Sequence, residues 1–171
     1  MNTRILVILS LLVGIGAVLH FIMPPIYGVT PDMMLAMMFI GIMLFPKLKY
    51  VSVLAIATGI LSGLTSNAPG GQIANIIEKP VTALIFFALF LLVKDRLNSN
   101  IAAPVLTAVG TLISGSIFLS LVFFVIGLMD GAFLFAFTTA VLPAAGLNTV
   151  LMVIIYPVVQ QILKRSKPIT V

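Results

Sequence analysis

Charge is what this chain has least of. Only 8% of its 171 residues are charged and 61% are hydrophobic, whereas a soluble domain carries about 25% charged residues. So sparse a charge complement excludes an ordinary water-facing surface, and the chain reads as an all-α integral membrane protein. There is no cysteine, which excludes disulfides and thiolate metal sites and leaves the redox compartment unreadable. A single histidine excludes a histidine-cluster metal centre. No Gly-x-x-x-x-Gly-Lys phosphate loop and no nucleophile–base pair occurs, so neither enzymatic chemistry nor a cofactor is expected, and ATP hydrolysis by that route is excluded. The net charge of +5 does not indicate nucleic acid, because the basic residues fall in short gaps between apolar runs rather than on one face.

Those runs are six, at roughly 5–23, 33–45, 51–64, 80–93, 101–127 and 132–163. A straight crossing of the bilayer needs about 20 helical residues, so the second, third and fourth are short and need their flanks, or burial among longer helices. The fourth reaches spanning length if Gln72–Lys79 adds about two turns, with a break or kink expected at Pro80. The last is too long for one straight span. Pro143 and Gly146 interrupt it, placing the spanning part at about Thr139–Leu163. The first run continues through Ile22 without an Ala-x-Ala site and reads as a retained span rather than a signal peptide. With no linker, repeat or low-complexity tract, residues 1–171 read as one transmembrane domain, a six-helix bundle.

Charge asymmetry orients it. With the N-terminus in the cytoplasm and six crossings, Arg4, Lys47, Lys49, Lys94, Arg96, Lys164, Arg165 and Lys167 are inside and only Lys79 is outside, a strong positive-inside pattern with both termini cytoplasmic. Asp32, Glu78 and Asp130 fall on the outer side. Tyr50 and Tyr156 lie near the inner boundary and Tyr27 near the outer one.

Small residues one turn apart mark close helix approach. Ala55, Gly59 and Gly63 on the third run, and Gly110, Thr111, Ser114 and Gly115 on the fifth, read as packing within the bundle. Ser10 and Gly14 on the first run fit either internal packing or a partner subunit.

The polar residues concentrate between Thr65 and Pro80. Pro69-Gly70-Gly71 is a turn signal with glycines free to take positive φ, and Asn67, Gln72 and Asn75 bring amide donors and acceptors. On a helix, Gln72, Asn75, Glu78, Lys79 and Thr82 share about a third of the circumference. Such a face fits a small zwitterion, with Lys79 on its carboxylate and Glu78 on its ammonium; the plain alternative is a solvated outer loop. The Gly-Gly turn, missing span length and proline together resemble the interrupted segments that line transporter sites.

Single polar residues elsewhere carry less. His20 reads as a packed membrane histidine, Asp32 as a helix cap and Asp130 as a turn residue on the substrate side. Asn148 needs a hydrogen-bond partner in its apolar run, whether a neighbouring helix or a substrate. Met33, Met34, Met37 and Met38 read as core packing, with a surface that would also fit an indole.

Three stretches together, Met1–His20, Pro31-Asp32-Met33 and the run from Pro69 to Ala83, resemble the small bacterial tryptophan-transporter family, over nearly the whole chain and most specifically at 69–83. That family looks like the substrate-binding S-components of energy-coupling-factor (ECF) importers. The resemblance implies tryptophan as ligand, a plasma-membrane location, and a coupling subunit with two ATPase subunits as partners. S-components commonly dock through an Ala-x-x-x-Ala face on the first helix. The nearest counterpart here is Ser10-x-x-x-Gly14, with Ala17 beside it. The substrate-binding residues are then Asn67, Gly70, Gly71, Gln72, Asn75, Glu78, Lys79, Thr82 and Asn148. The rival readings are a stand-alone ion-coupled amino-acid carrier and a non-transport membrane scaffold.

Overall fold

Each apolar run becomes a helix in the computed structural model, which describes residues 2–26, 28–128 and 131–165, Lys164 by its backbone alone. The expectations placed on Tyr27, Asp130, Lys167 and the Lys164 side chain lie outside the described residues. The helices are α1 (Thr3–Ile22), α2 (Met33–Leu44), α3 (Leu48–Leu64) and α4 (Gly71–Val93). Helix α5 (Ser99–Ser120) runs on into a π-helical end, Leu121–Ile126. Helix α6 begins as Phe133–Ala136, passes through a π-helical stretch Phe137–Val141, and continues as Leu142–Arg165.

Four of the six, α1, α4, α5 and α6, are long and apolar enough to cross a membrane, whereas α2 and α3 are shorter. Six uniform spans are therefore not what the helix lengths give. The reason is clearest at α2. Twelve residues rise about 18 Å, well under the roughly 30 Å hydrocarbon thickness. Met33 through Met43 are nonetheless buried without interruption. A helix apolar all round is surrounded by protein, so lipid thickness does not set its length. Met33, Met34, Met37 and Met38 are core, as expected. The outer helices show the reverse pattern. Val7, Leu11, Ile15 and Val18 of α1, and Ile73, Ile77, Val81 and Leu84 of α4, face outward. An apolar exterior of this extent is stable against hydrocarbon, not water.

Helix α4 corrects the expected break at Pro80. Helical geometry is continuous from Gly71 through the proline to Val93. Pro80 has no N–H for the Ile76 carbonyl four residues back, and it is α3 that packs over this weakened turn. A Cβ on Gly59 would sit 3.3 Å from the Asn75 carbonyl oxygen and 3.3 Å from Pro80 Cδ, and one on Gly63 would sit 2.8 Å from the Gln72 carbonyl oxygen. Two glycines one turn apart thus bring two helix backbones together, the packing read from the sequence. Because the obstacle at Gly63 is backbone, Gly63→Ala should destabilise the bundle by about 1–3 kcal/mol. Thermal unfolding in detergent reads this, and an unchanged midpoint would refute the close approach.

Helix α6 corrects the second expected break. Pro143 and Gly146 lie within a continuous helix, and the irregularity is the π-helical stretch just before the proline. The missing Pro143 N–H is accommodated by local rewinding rather than interruption. Gly115 of α5 receives this stretch, since any Cβ there would collide with Val141. Below it, Gly110 leaves room for the Phe39 and Phe86 rings, stacked 3.9 Å apart.

The two ends of the bundle differ chemically. At one end the Asn2 backbone N–H donates to the Tyr50 hydroxyl at 3.1 Å, joining the start of α1 to the start of α3, and Arg4, Lys47 and Lys49 follow nearby in sequence. The opposite end gathers the α1–α2 and α3–α4 connections, and the buried polar side chains lie under it.

Candidate functional site

Beneath those connections lies a cavity of about 560 Å³, within the range of about 300–1,000 Å³ usual for small-molecule sites. Its polar wall comes from the inner face of α4. Asn75, Glu78, Lys79 and Thr82 recur at helical spacing and are all buried, so the predicted face exists and points into the bundle. Gln72, on the same face, is exposed and donates to the Ser66 carbonyl at 3.3 Å. The apolar wall includes Leu35, Phe118, Leu119 and Val141.

At the centre is a chain of three charges. Lys79 Nζ lies 2.6 Å from Asp32 Oδ2 and 2.6 Å from Glu78 Oε1. The Glu78 side chain is fully buried, Lys79 is 2% exposed and Asp32 26%. Two buried hydroxyls satisfy the other Glu78 oxygen: Thr82 donates to Oε2 at 3.0 Å and Ser114 at 2.9 Å. Asp32 also caps α2, its Oδ1 accepting the Leu35 backbone N–H at 2.9 Å. The expected cap is therefore present, and the same carboxylate additionally holds an ion pair. Burial works to raise the Asp32 carboxyl, but the Lys79 ammonium, then His20, and the two hydrogen bonds outweigh it and hold it below the usual carboxylate value. His20 Nδ1 lies 3.9 Å from Asp32 Oδ1, so this histidine belongs to the cavity wall rather than to simple packing.

The structure sorts the predicted residues into three groups. Asn67, Asn75, Glu78 and Lys79 line the cavity; the Asn75 side-chain amide is turned back onto the Gly71 carbonyl at 2.8 Å. Thr82 and Asn148 stand behind the lining. Asn148 is fully buried; its Oδ1 accepts the Asp32 backbone N–H at 2.9 Å and its Nδ2 donates to Thr111 Oγ1 at 3.2 Å. It thus ties α6 to α5 and fixes Asp32. Gly70, Gly71 and Gln72 are absent from the lining and shape the loop instead. Gly70 has φ 70°, where a side chain is strained, and Gly71 abuts Ser66 too closely for any Cβ.

Sequence reasoning missed Ser62, Thr111, Ser114 and Phe118 as cavity residues. The signal was present: Ser62 adjoins Gly63, and Thr111 and Ser114 belong to the small-residue pattern of α5. A small hydroxyl residue permits close packing and also supplies a hydrogen-bonding group, and spacing alone does not separate the two. The first-helix residues are elsewhere. Ser10 and Gly14 are exposed and line a groove of about 270 Å³ between α1 and α3, with Leu6, Val13, Val53 and Ala57; Ala17 packs partly buried against the core.

Known proteins resemble this chain from end to end. Residues 2–164 match the family described as Tryptophan transporter TrpP. A probable tryptophan transport protein of Bacillus subtilis (strain 168) is 54% identical over 167 residues, 97% of this chain and 96% of that one. Proteins of the same description are 39% identical in Clostridium acetobutylicum, over 94% of both chains, and 35% identical in Clostridium perfringens (strain 13 / Type A), over 96% of both. No solved structure matches the chain significantly. With four helices of spanning length and an apolar exterior, this is a multi-pass membrane protein, and the extent of the match establishes that it belongs to the tryptophan transporter family TrpP.

Proposed function

We propose that this protein takes up tryptophan across the plasma membrane, binding it in the 560 Å³ cavity from the outer side as the substrate-binding S-component of an ECF-type importer. The observation that carries the reading is the placement of a buried charge network against an apolar wall, under connections at the end of the bundle away from Arg4, Lys47 and Lys49. The apolar wall receives the indole and the charged end receives the amino-acid group. Ser66 and Asn67, which line the cavity, offer hydroxyl and amide donors to the carboxylate, whereas the Thr65 hydroxyl already donates to the Leu61 carbonyl at 2.8 Å. Gly70 and Gly71 act by shaping this loop, and Gln72 by holding it to Ser66. Thr82 and Asn148 act through Glu78 and Asp32.

The chain contains no tryptophan, so bound ligand is read directly by its own indole fluorescence in detergent-purified protein. A saturable signal and a stability increase following RT ln(1 + [L]/Kd) are expected; absence of both would refute the substrate reading. The rival with a structural argument is a stand-alone ion-coupled carrier, because the Asp32–Lys79–Glu78 network is the kind of buried ionisable group coupling uses. Uptake of labelled tryptophan in cells lacking ECF coupling and ATPase subunits separates the two. Loss of uptake supports the S-component, and undiminished uptake supports the carrier.

Orientation follows the positive-inside rule. A cysteine at position 69, in the exposed α3–α4 loop, should react with an impermeant external reagent, and one at position 95, between α4 and α5, should not. The chain has no cysteine of its own, so the labelling is clean, and the reverse pattern would invert the topology.

A further inference from the structure

The charges in the cavity wall do not balance. The ionisable lining residues among those described are His20, Asp32, Glu78 and Lys79, two carboxylates against one ammonium, which leaves one negative charge when the imidazole is neutral. Access is unequal as well. Lys79 is 2% exposed and held between both carboxylates at 2.6 Å, so its charge is neutralised and shielded from the cavity. Glu78 lines the cavity but its side chain is fully buried, with Oε1 against the Lys79 ammonium at 2.6 Å and Oε2 accepting from Thr82 and Ser114. Asp32 alone of the three charged groups reaches the cavity appreciably. It spends one oxygen on the Leu35 N–H and the other on Lys79, and a carboxylate has about four acceptor positions. A second, independent feature is Ser62, which lines the same cavity, is 3% exposed, and has an Oγ without a hydrogen-bond partner among the described residues. A buried hydroxyl left unpaired costs stability unless something bound there pairs it.

We propose that Asp32 is the specificity-determining residue for the ligand's ammonium, with Ser62 as a further acceptor, so that the site selects amines and zwitterions and rejects ligands that are only acids. The ligand's positive charge completes a network of two anions and two cations. This reassigns the roles read from the sequence: Lys79 holds the two carboxylates in place, and the ammonium partner is Asp32 rather than Glu78. The inference rests on the reading of this cavity as the tryptophan site.

Three probes test it on the purified full-length protein: L-tryptophan, tryptamine, which lacks the carboxylate, and indole-3-propionate, which lacks the ammonium. Tryptamine should bind at least about 10-fold more tightly than indole-3-propionate, since a charge-assisted hydrogen bond in a buried site is worth roughly 10- to 150-fold. Asp32→Asn should weaken tryptamine and tryptophan by a factor in that range and leave indole-3-propionate no weaker. Asparagine serves as well as aspartate at an N-cap, so α2 keeps its first-turn bond; the wild-type comparison of the three probes needs no variant at all. Tryptophan binding with indole-3-propionate equal to or tighter than tryptamine, or tryptamine binding indifferent to Asp32→Asn, would overturn the assignment. Tryptamine binding that depends on Asp32 without any tryptophan binding would support the assignment and overturn the tryptophan reading. No binding of any probe would overturn both.

Discussion

Lys79→Met is expected to abolish tryptophan binding and to lower the unfolding midpoint sharply. The side chain is 2% exposed and stands 2.6 Å from each of two carboxylates. Methionine fills a similar volume but leaves Asp32 and Glu78 facing each other inside a low-dielectric bundle. Removing one partner of a buried ion pair costs about 3–5 kcal/mol, because the other charge stays buried without compensation. The double variant Lys79→Met with Glu78→Gln removes one of the stranded charges, and it should recover part of the loss, with a coupling of about 0.5–3 kcal/mol. Thermal unfolding and indole fluorescence on the same samples read both quantities. A Lys79→Met protein of unchanged stability that loses affinity only for ligands with a free carboxylate would return Lys79 to direct contact with the substrate.

Gly14→Leu is expected to abolish uptake while leaving tryptophan binding intact. The proposal behind it is that α1 meets a coupling subunit through Ser10 and Gly14. The structure makes the outcome sharper than the sequence did. A Cβ on Gly14 meets nothing within 4 Å, so a larger side chain enters open space beside α3 without overpacking the core. The cavity that holds the charge network shares no lining residue with this groove. Backbone-to-backbone docking, in contrast, tolerates no bulk at the contact. Binding by purified protein and uptake by cells containing the complete transporter give the two readouts. Unchanged uptake would exclude docking through this face, and joint loss of binding and uptake would place Gly14 inside the fold after all.

The sequence by itself determined the membrane class, the six helical segments and the polar face of α4. Each follows from one-dimensional patterning: a charge content too low for water, apolar runs between turn residues, and spacing near 3.6 for Asn75, Glu78, Lys79 and Thr82. It also determined Asp32 as the cap of α2 and the glycine contact between α3 and α4, because both rest on residues whose local role has few alternatives. Tertiary structure alone decided the rest. It brought Asp32 to Lys79, 47 residues away, and Ser114 to Glu78, 36 residues away, and no local rule pairs charges across helices. It kept α4 whole across Pro80 and α6 whole across Pro143, because α3 packs over the weakened turn of α4 and a π-helical stretch absorbs the missing donor in α6. It buried α2 on all sides, which freed that helix from the thickness of the bilayer. And it neutralised Lys79, leaving Asp32 as the charge that faces the cavity: which member of an ion cluster reaches a ligand depends on burial, a property of the packed bundle.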